Sequence, residues 1–238
     1  MSKNMKVLVG LSTGEYIRRA EFLPHFLFMD KPNGTIMATV HGQSPAESRN
    51  LIAQQAIDNK CTHVLFVDDD IILQKDTLVK LMRHNKDVVT ALYLLRSFPH
   101  YPALFDEAFE SGANKFTFLD SQSGLIKSSN CGLGCVLIST DVFKKMEEPW
   151  VRLGEIKKDG WCDDVGFFNR CREAGFEIWC DLDAAVGHMT GLTLWPEKHE
   201  GKWMTNYRHQ NGNVLIPQNI PTLTELEEAK GKEIQVSV

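Results

Sequence analysis

Thr62-His63-Val64-Leu65-Phe66-Val67-Asp68-Asp69-Asp70-Ile71 is a short apolar run that ends in three consecutive carboxylates. Such a run reads as a buried strand, which puts the acids just past its carboxyl end, where open α/β sheets bind their ligands. Three adjacent like charges repel one another and cannot be buried unpaired, so the pattern calls for a cation, and a divalent metal meets the need. A second acidic pair, Asp163-Asp164, follows Gly160-Trp161-Cys162 and precedes Val165, Phe168 and Cys171 at helical spacing. Capping and dipole compensation alone favour two acids at a helix start, so this pair is either a site or a cap. His188 ends the apolar stretch Ala184-Ala185-Val186-Gly187 and by itself reads as an ordinary half-buried histidine.

The elements that must position these residues alternate along the chain. Lys6 to Gly10 predicts a first strand, with Ser12 to Arg19 as the loop and helix start after it. Ser44-Pro45-Ala46-Glu47 is a capping box with proline at the first helical position, and Ile52, Ala53, Ala56 and Ile57 recur at helical spacing behind it. That helix delivers the chain to the strand that ends at Asp68. Asp76-Thr77 is placed to cap a helix through Leu78, Leu81 and Met82, and Val88 to Tyr93 predicts the next strand. Strand, helix, strand, helix, strand is a parallel-sheet signature. Between Tyr101 and Ser129 the periodicity weakens, which predicts an irregular or antiparallel insertion. Cys135 to Ser139 reads as a strand, Asp141 as the cap of a short helix to about Met146, Gly175 as a helix stop, and Phe176 to Cys180 as a further strand.

With 238 residues, 43% of them hydrophobic, the chain can bury a sizeable core as a single α/β domain over residues 1–212, leaving 213–238 as a strap or partly disordered tail. Lys and Arg number 26 against 31 Asp and Glu, which offers no broad surface for nucleic-acid phosphates. The amino terminus leads into only a short apolar stretch, and no segment approaches a membrane span, so the expectation is a cytoplasmic protein. The Cys131-x3-Cys135 spacing has no matching cysteine or histidine pair, and the six cysteines read as reduced, mostly buried thiols.

Three segments together resemble a known family: Val64-Leu-Phe-Val-Asp-Asp-Asp-Ile71, then Gly132-Leu133-Gly134-Cys135-Val136-Leu137-Ile138, then Cys162-Asp163-Asp164-Val165-Gly166-Phe167 with Arg172-Glu173-Ala174-Gly175-Phe176. Their order is similar to that in nucleotide-sugar-dependent glycosyltransferases of the GT-A fold, above all the family-two group and its small phage and bacterial relatives. The similarity spans roughly residues 5 to 192. This chain differs in carrying Asp163 where Glu is commoner and Gly166 where another acid often sits.

The resemblance implies a GT-A domain with a mostly parallel central sheet flanked by helices, and an enzyme that moves a sugar from a nucleotide-diphosphate donor to an acceptor hydroxyl. It implies a metal on Asp70 and His188, with Asp68 on the metal or the ribose and Asp69 beside the nucleotide. One imidazole among oxygens slightly favours Mn2+ over Mg2+. Asp164 is implied as general base, with Asp163 orienting the acceptor or substituting as base; a pair working this way inverts the anomeric carbon, and the same fold also supports retention. Donor contacts are expected on Thr13, Glu15 and Arg18 after the first strand. Arg49-Asn50 resembles a pair near the nucleotide in relatives, although a surface helix cation is an equal reading of Arg49. Trp161, Trp195, Trp203 and Tyr207 are candidates for stacking on sugar, or for packing. The acceptor can be a glycan, a lipid-linked sugar, a protein or a modified nucleobase.

Other classes fit less well. A haloacid-type phosphatase carries its DxD on the first strand, and a sugar-nucleotide pyrophosphorylase needs a long glycine-rich basic loop that Leu11-Ser12-Thr13-Gly14-Glu15 does not provide. A non-catalytic nucleotide- or glycan-binding module has no need of both acidic clusters.

Overall fold

A computed structural model describes residues 5–13, 22–96, 100–106, 115–116, 123–152, 163–190, 193–209 and 212–219. Strand β1 (Val7–Thr13) is buried almost throughout, as a strand covered on both faces must be. Helix α1 (Phe22–Leu27) follows, then strand β2 (Ile36–His41) and helix α2 (Pro45–Asp58). The capping box at the start of α2 forms as expected: the Glu47 N–H donates to Ser44 Oγ at 3.2 Å, and the Ser44 N–H donates to Glu47 Oε2 at 3.1 Å. Ala46, Ile52, Ala53 and Ala56 form the buried face of α2. Gly10 of β1 lets that face approach, since a Cβ there would overlap the Ile52 side chain.

Strand β3 (His63–Asp68) ends at the first acid of the triplet, and β4 (Ile71–Ile72) begins just after the last. Helix α3 (Thr77–Arg83) leads to β5 (Val88–Leu92), and short strands β6 (Leu104–Asp106), β7 (Lys115–Phe116), β8 (Leu125–Ser128) and β9 (Asn130–Cys131) follow. Strand β10 (Cys135–Ser139), helices α4 (Thr140–Lys145) and α5 (Asp163–Glu173), and strands β11 (Ile178–Ala185), β12 (Gly187–Met189), β13 (Thr193–His199), β14 (Lys202–His209) and β15 (Gly212–Asn219) complete the order.

The main sheet has seven strands in the order β2-β1-β3-β10-β5-β11-β8. Three of its six pairings are parallel and three antiparallel, so the sheet is mixed rather than mostly parallel. Edge strand β8 is antiparallel to β11, and β10 lies antiparallel between β3 and β5. The five residues of β10 are all buried, and a fully apolar run has no alternation that would mark its direction. Successive side chains of β3 face opposite layers: Val64 and Phe66 pack with Ile52, Phe143 and Phe168, while Leu65 and Val67 pack with Phe22, Leu78 and Leu81. Helices therefore cover both faces of one α/β sheet.

The weakly periodic stretch after Tyr101 builds the antiparallel sheet β7-β6-β9, in line with an antiparallel insertion. A five-stranded antiparallel sheet, β15-β14-β13-β12-β4, was not legible in the sequence. Pro196 and Pro217 interrupt its runs, and both are tolerated by position: β12 pairs only as far as Leu194, and β15 is an edge strand.

Two caps differ from expectation. Ser139, not Asp141, caps α4 by accepting the Asp141 N–H at 3.3 Å. Asp76 precedes α3 without a side-chain cap bond, and its carboxylate meets Lys80 at 3.2 Å instead. Gly175 ends α5 as expected, at φ 89°. The described cysteines are free and buried, and no described helix is long and apolar enough to cross a membrane.

Candidate functional site

The carboxyl ends of β1 and β3, the end of β5 and the start of α5 converge on one edge of the main sheet. Thr13 stands one residue beyond the Ser12–Asp68 pairing, buried and level with the acidic triplet. The loop Gly132-Leu133-Gly134 faces that edge, and the Gly134 carbonyl accepts the Asp68 N–H at 2.9 Å. Its glycines make room for Tyr93. A Cβ at Gly132 would overlap the Tyr93 hydroxyl, and one at Gly134 would lie 3.0 Å from it. The Gly134 N–H donates to that hydroxyl at 3.1 Å. Burial first, and then the charges of Asp164 and Asp68, push the Tyr93 phenol well above its usual pKa, so it stays protonated.

Arg49 is the hub of the site and is no surface cation, being 5% exposed. Its Nη2 donates to both oxygens of Asp68 at 2.9 Å, and its Nη1 lies 3.7 Å from Asp164 Oδ1. Burial alone would lower its pKa, but Asp68 and Asp164 more than reverse this and hold the guanidinium above its ordinary range. Asp164 Oδ2 accepts the Leu133 N–H at 3.1 Å, so this acid is fixed by a backbone amide outside its own helix. For Asp68, burial raises the pKa, Arg49 opposes the rise, and Asp70 and Asp164 add to it, leaving the carboxyl pushed up to about 6.

The other half of the site is built around Asp70, which is buried like Asp69. Strand β4 pairs antiparallel with β12, setting His188 opposite Ile71, and the Asp70 carbonyl accepts the Met189 N–H at 2.7 Å. His188 Nε2 consequently lies 3.7 Å from Asp70 Oδ1. The other ring nitrogen, Nδ1, is 2.7 Å from the Leu94 carbonyl, an obligate acceptor, so Nδ1 carries the proton. Burial lowers the His188 pKa below 6.5, helped by Arg96, against Asp70 and the Leu94 bond, which raise it. At neutral pH a lone pair on Nε2 therefore faces a carboxylate oxygen. Arg96 Nη1 approaches the remaining oxygen, Asp70 Oδ2, at 3.1 Å.

Among the described residues, no group of three or more histidine, cysteine or acidic side chains is assembled to hold a metal. The expected set of Asp68, Asp70 and His188 is split, because Asp68 turns to Arg49. Two facing lone-pair donors, carboxylate and imidazole, nevertheless suit a divalent ion.

Glu15, Arg18 and Trp161 lie outside the described residues, as does the side chain of Asp163, whose backbone opens α5. Trp195 and Trp203 are buried in the core rather than presented to a ligand. Tyr93, Leu133 and Arg96 were not legible as site residues. The only sequence signal for Tyr93 and Arg96 is their place just after an apolar run that ends at the same sheet edge as Asp68.

No family model and no curated protein matches the chain. Among solved structures, the crystal structure of A197 from STIV is similar, with a TM-score of 0.59 at 16% identity over 90% of this chain and 99% of that one. That likeness extends to the fold.

Proposed function

We propose that the chain is a metal-dependent glycosyltransferase of the GT-A fold, moving a sugar from a nucleotide-diphosphate donor to an acceptor hydroxyl. The observation that carries the reading is the pair formed by Asp70 Oδ1 and the unprotonated Nε2 of His188, 3.7 Å apart at the carboxyl edge of the sheet. A buried carboxylate oxygen beside an imidazole nitrogen is a pair of donors that suits a divalent ion. Supporting this is the acidic triplet just beyond β3, at the carboxyl edge of the sheet.

A divalent ion held by Asp70 and His188 would neutralise the charge that builds on the departing diphosphate. The rest falls to the chain's own side chains. Asp164 is the general base. As the acceptor oxygen bonds to the anomeric carbon and the bond from that carbon to the diphosphate breaks, the acceptor proton passes to Asp164 Oδ1. The Leu133 amide occupies Oδ2 and so aims the carboxylate, while Arg49, 3.7 Å from Oδ1 and beyond hydrogen-bond range, does not consume its lone pair. Attack from the face opposite the leaving group inverts the anomeric carbon. Asp68, held by Arg49, and Thr13 are placed to line the nucleotide side.

Thermal shift with UDP-, GDP-, CMP- and dTDP-sugars, with and without Mn2+, tests the reading. One donor should stabilise the protein only with the ion, by about 2.7 kcal/mol at a hundredfold excess over Kd, and Asp70→Asn and His188→Ala should abolish the effect. Equal stabilisation in EDTA would overturn metal dependence. Nucleotide binding without transfer to any acceptor would reduce the protein to a binding module.

A further inference from the structure

Arg96 has no place in the chemistry so far, yet its guanidinium pairs with Asp70. Its position is set by backbone: the Leu95 N–H donates to the Tyr101 carbonyl at 2.8 Å, Leu94 bridges Pro102, and the Leu94 carbonyl fixes the His188 ring. Its Nη1 lies 3.1 Å from Asp70 Oδ2, on the oxygen that does not face His188. The two partners differ in exposure. The Asp70 side chain is 9% exposed and that of Arg96 is 48%, so Asp70 lies inside the site and Arg96 reaches it from the solvent side.

A divalent ion on Asp70 Oδ1 and His188 would share one carboxylate with this guanidinium, and a single negative charge leaves three positive charges in net repulsion unless a further anion joins them. A diphosphate is the anion the chemistry brings there, and a planar guanidinium fork suits phosphate oxygens.

We propose that Arg96 is a diphosphate-binding residue that makes cation and diphosphate binding cooperative. Without nucleotide it neutralises Asp70 through Oδ2 and so opposes a divalent ion at Oδ1 and His188; with a diphosphate present it turns to the phosphate oxygens, and the full charge of Asp70 serves the ion. Release of the diphosphate product then loosens the ion as well. This inference rests on the metal-dependent reading above and adds the residue that couples the two ligands.

The test is Mn2+ binding, followed by electron paramagnetic resonance, to the full chain and to Arg96→Gln and Arg96→Lys, each alone and with inorganic pyrophosphate as probe. The wild type should bind Mn2+ weakly alone and about tenfold more tightly with pyrophosphate, a coupling within the usual range. Arg96→Gln should bind Mn2+ alone more tightly than the wild type and lose most of the pyrophosphate effect, two changes of opposite sign that loss of folding cannot produce. Arg96→Lys keeps the charge but not the fork, so it should still oppose Mn2+ while binding pyrophosphate less well. Unchanged Mn2+ affinity in Arg96→Gln overturns the coupling even if pyrophosphate binding falls. Absence of Mn2+ binding in every protein, with and without pyrophosphate, removes the metal-dependent reading itself and this inference with it.

Discussion

Arg49 gives both oxygens of Asp68 a hydrogen bond from a single nitrogen, each at 2.9 Å, and so ties the middle of α2 to the carboxyl end of β3. The same guanidinium faces Asp164 at 3.7 Å, and the next residue, Asn50, exchanges two hydrogen bonds with the Val151 backbone, at 2.7 and 2.9 Å. Two successive residues of one helix thereby hold the strand-end acid, the acid at the start of α5 and the chain at Val151.

Arg49→Ala should therefore destabilise the protein and impair donor and acceptor halves together. Removing one partner of a buried ion pair costs about 3–5 kcal/mol; with Asp68 and Asp164 still partly open to water, about 2 kcal/mol is the expected loss. Arg49→Lys should recover only part of it, because one ammonium cannot face Asp68 and Asp164 at once as the two guanidinium nitrogens do. Denaturant melts of both variants measure this. A stability equal to wild type for Arg49→Ala would mean the bridge contributes nothing.

Asp164→Asn separates chemistry from support. Turnover should fall about 10²–10⁴-fold, since an amide cannot take the acceptor's proton, while donor affinity changes little. Transfer and donor binding measured on this variant decide it, and near-normal turnover would move the role of base to Asp163.

Asp68 makes the unliganded protein sensitive to pH. Its folded pKa, near 6, lies above the ordinary 3.8, so the protonated form is favoured in the folded state. Its stabilising contribution is complete below about 4 and is lost as pH rises through 6. Asp68→Asn cannot titrate, and the difference in melting temperature between variant and wild type should shift in the variant's favour between pH 4 and pH 7. A flat difference would show that the Arg49 pair fully offsets the burial.

What the sequence made legible was local. The apolar run into Asp68, the Ser44 box and Gly175 each depend on near neighbours in the chain, and each appears where expected. What it hid was set by register and by backbone. The direction of β10 leaves no trace in a strand buried on both faces. The Leu133 amide and the Leu94 carbonyl, which aim Asp164 and His188, belong to apolar residues whose side chains advertise nothing. Arg49 reads equally as a surface cation because its neighbours in sequence do not mark the face of α2 that turns to Asp68 and Asp164.

The glycine loop yields the last prediction. Because a Cβ at Gly132 would collide with the Tyr93 hydroxyl, Gly132→Ala must displace that ring and should cost about 1–3 kcal/mol, the range for overpacking. Gly134→Ala, whose added carbon would sit 3.0 Å from the same oxygen, should cost less. Tyr93→Phe removes the oxygen and leaves the Gly134 N–H without its acceptor, a loss of about 1–3 kcal/mol by itself. In the double variant Gly132→Ala with Tyr93→Phe, part of the collision disappears. The two effects should then sum to more than the measured loss, with a coupling of about 0.5 kcal/mol or more in a double-mutant cycle. Strict additivity would show that the loop moves away from Tyr93 without resistance. The glycines would then be present for some purpose other than admitting the ring.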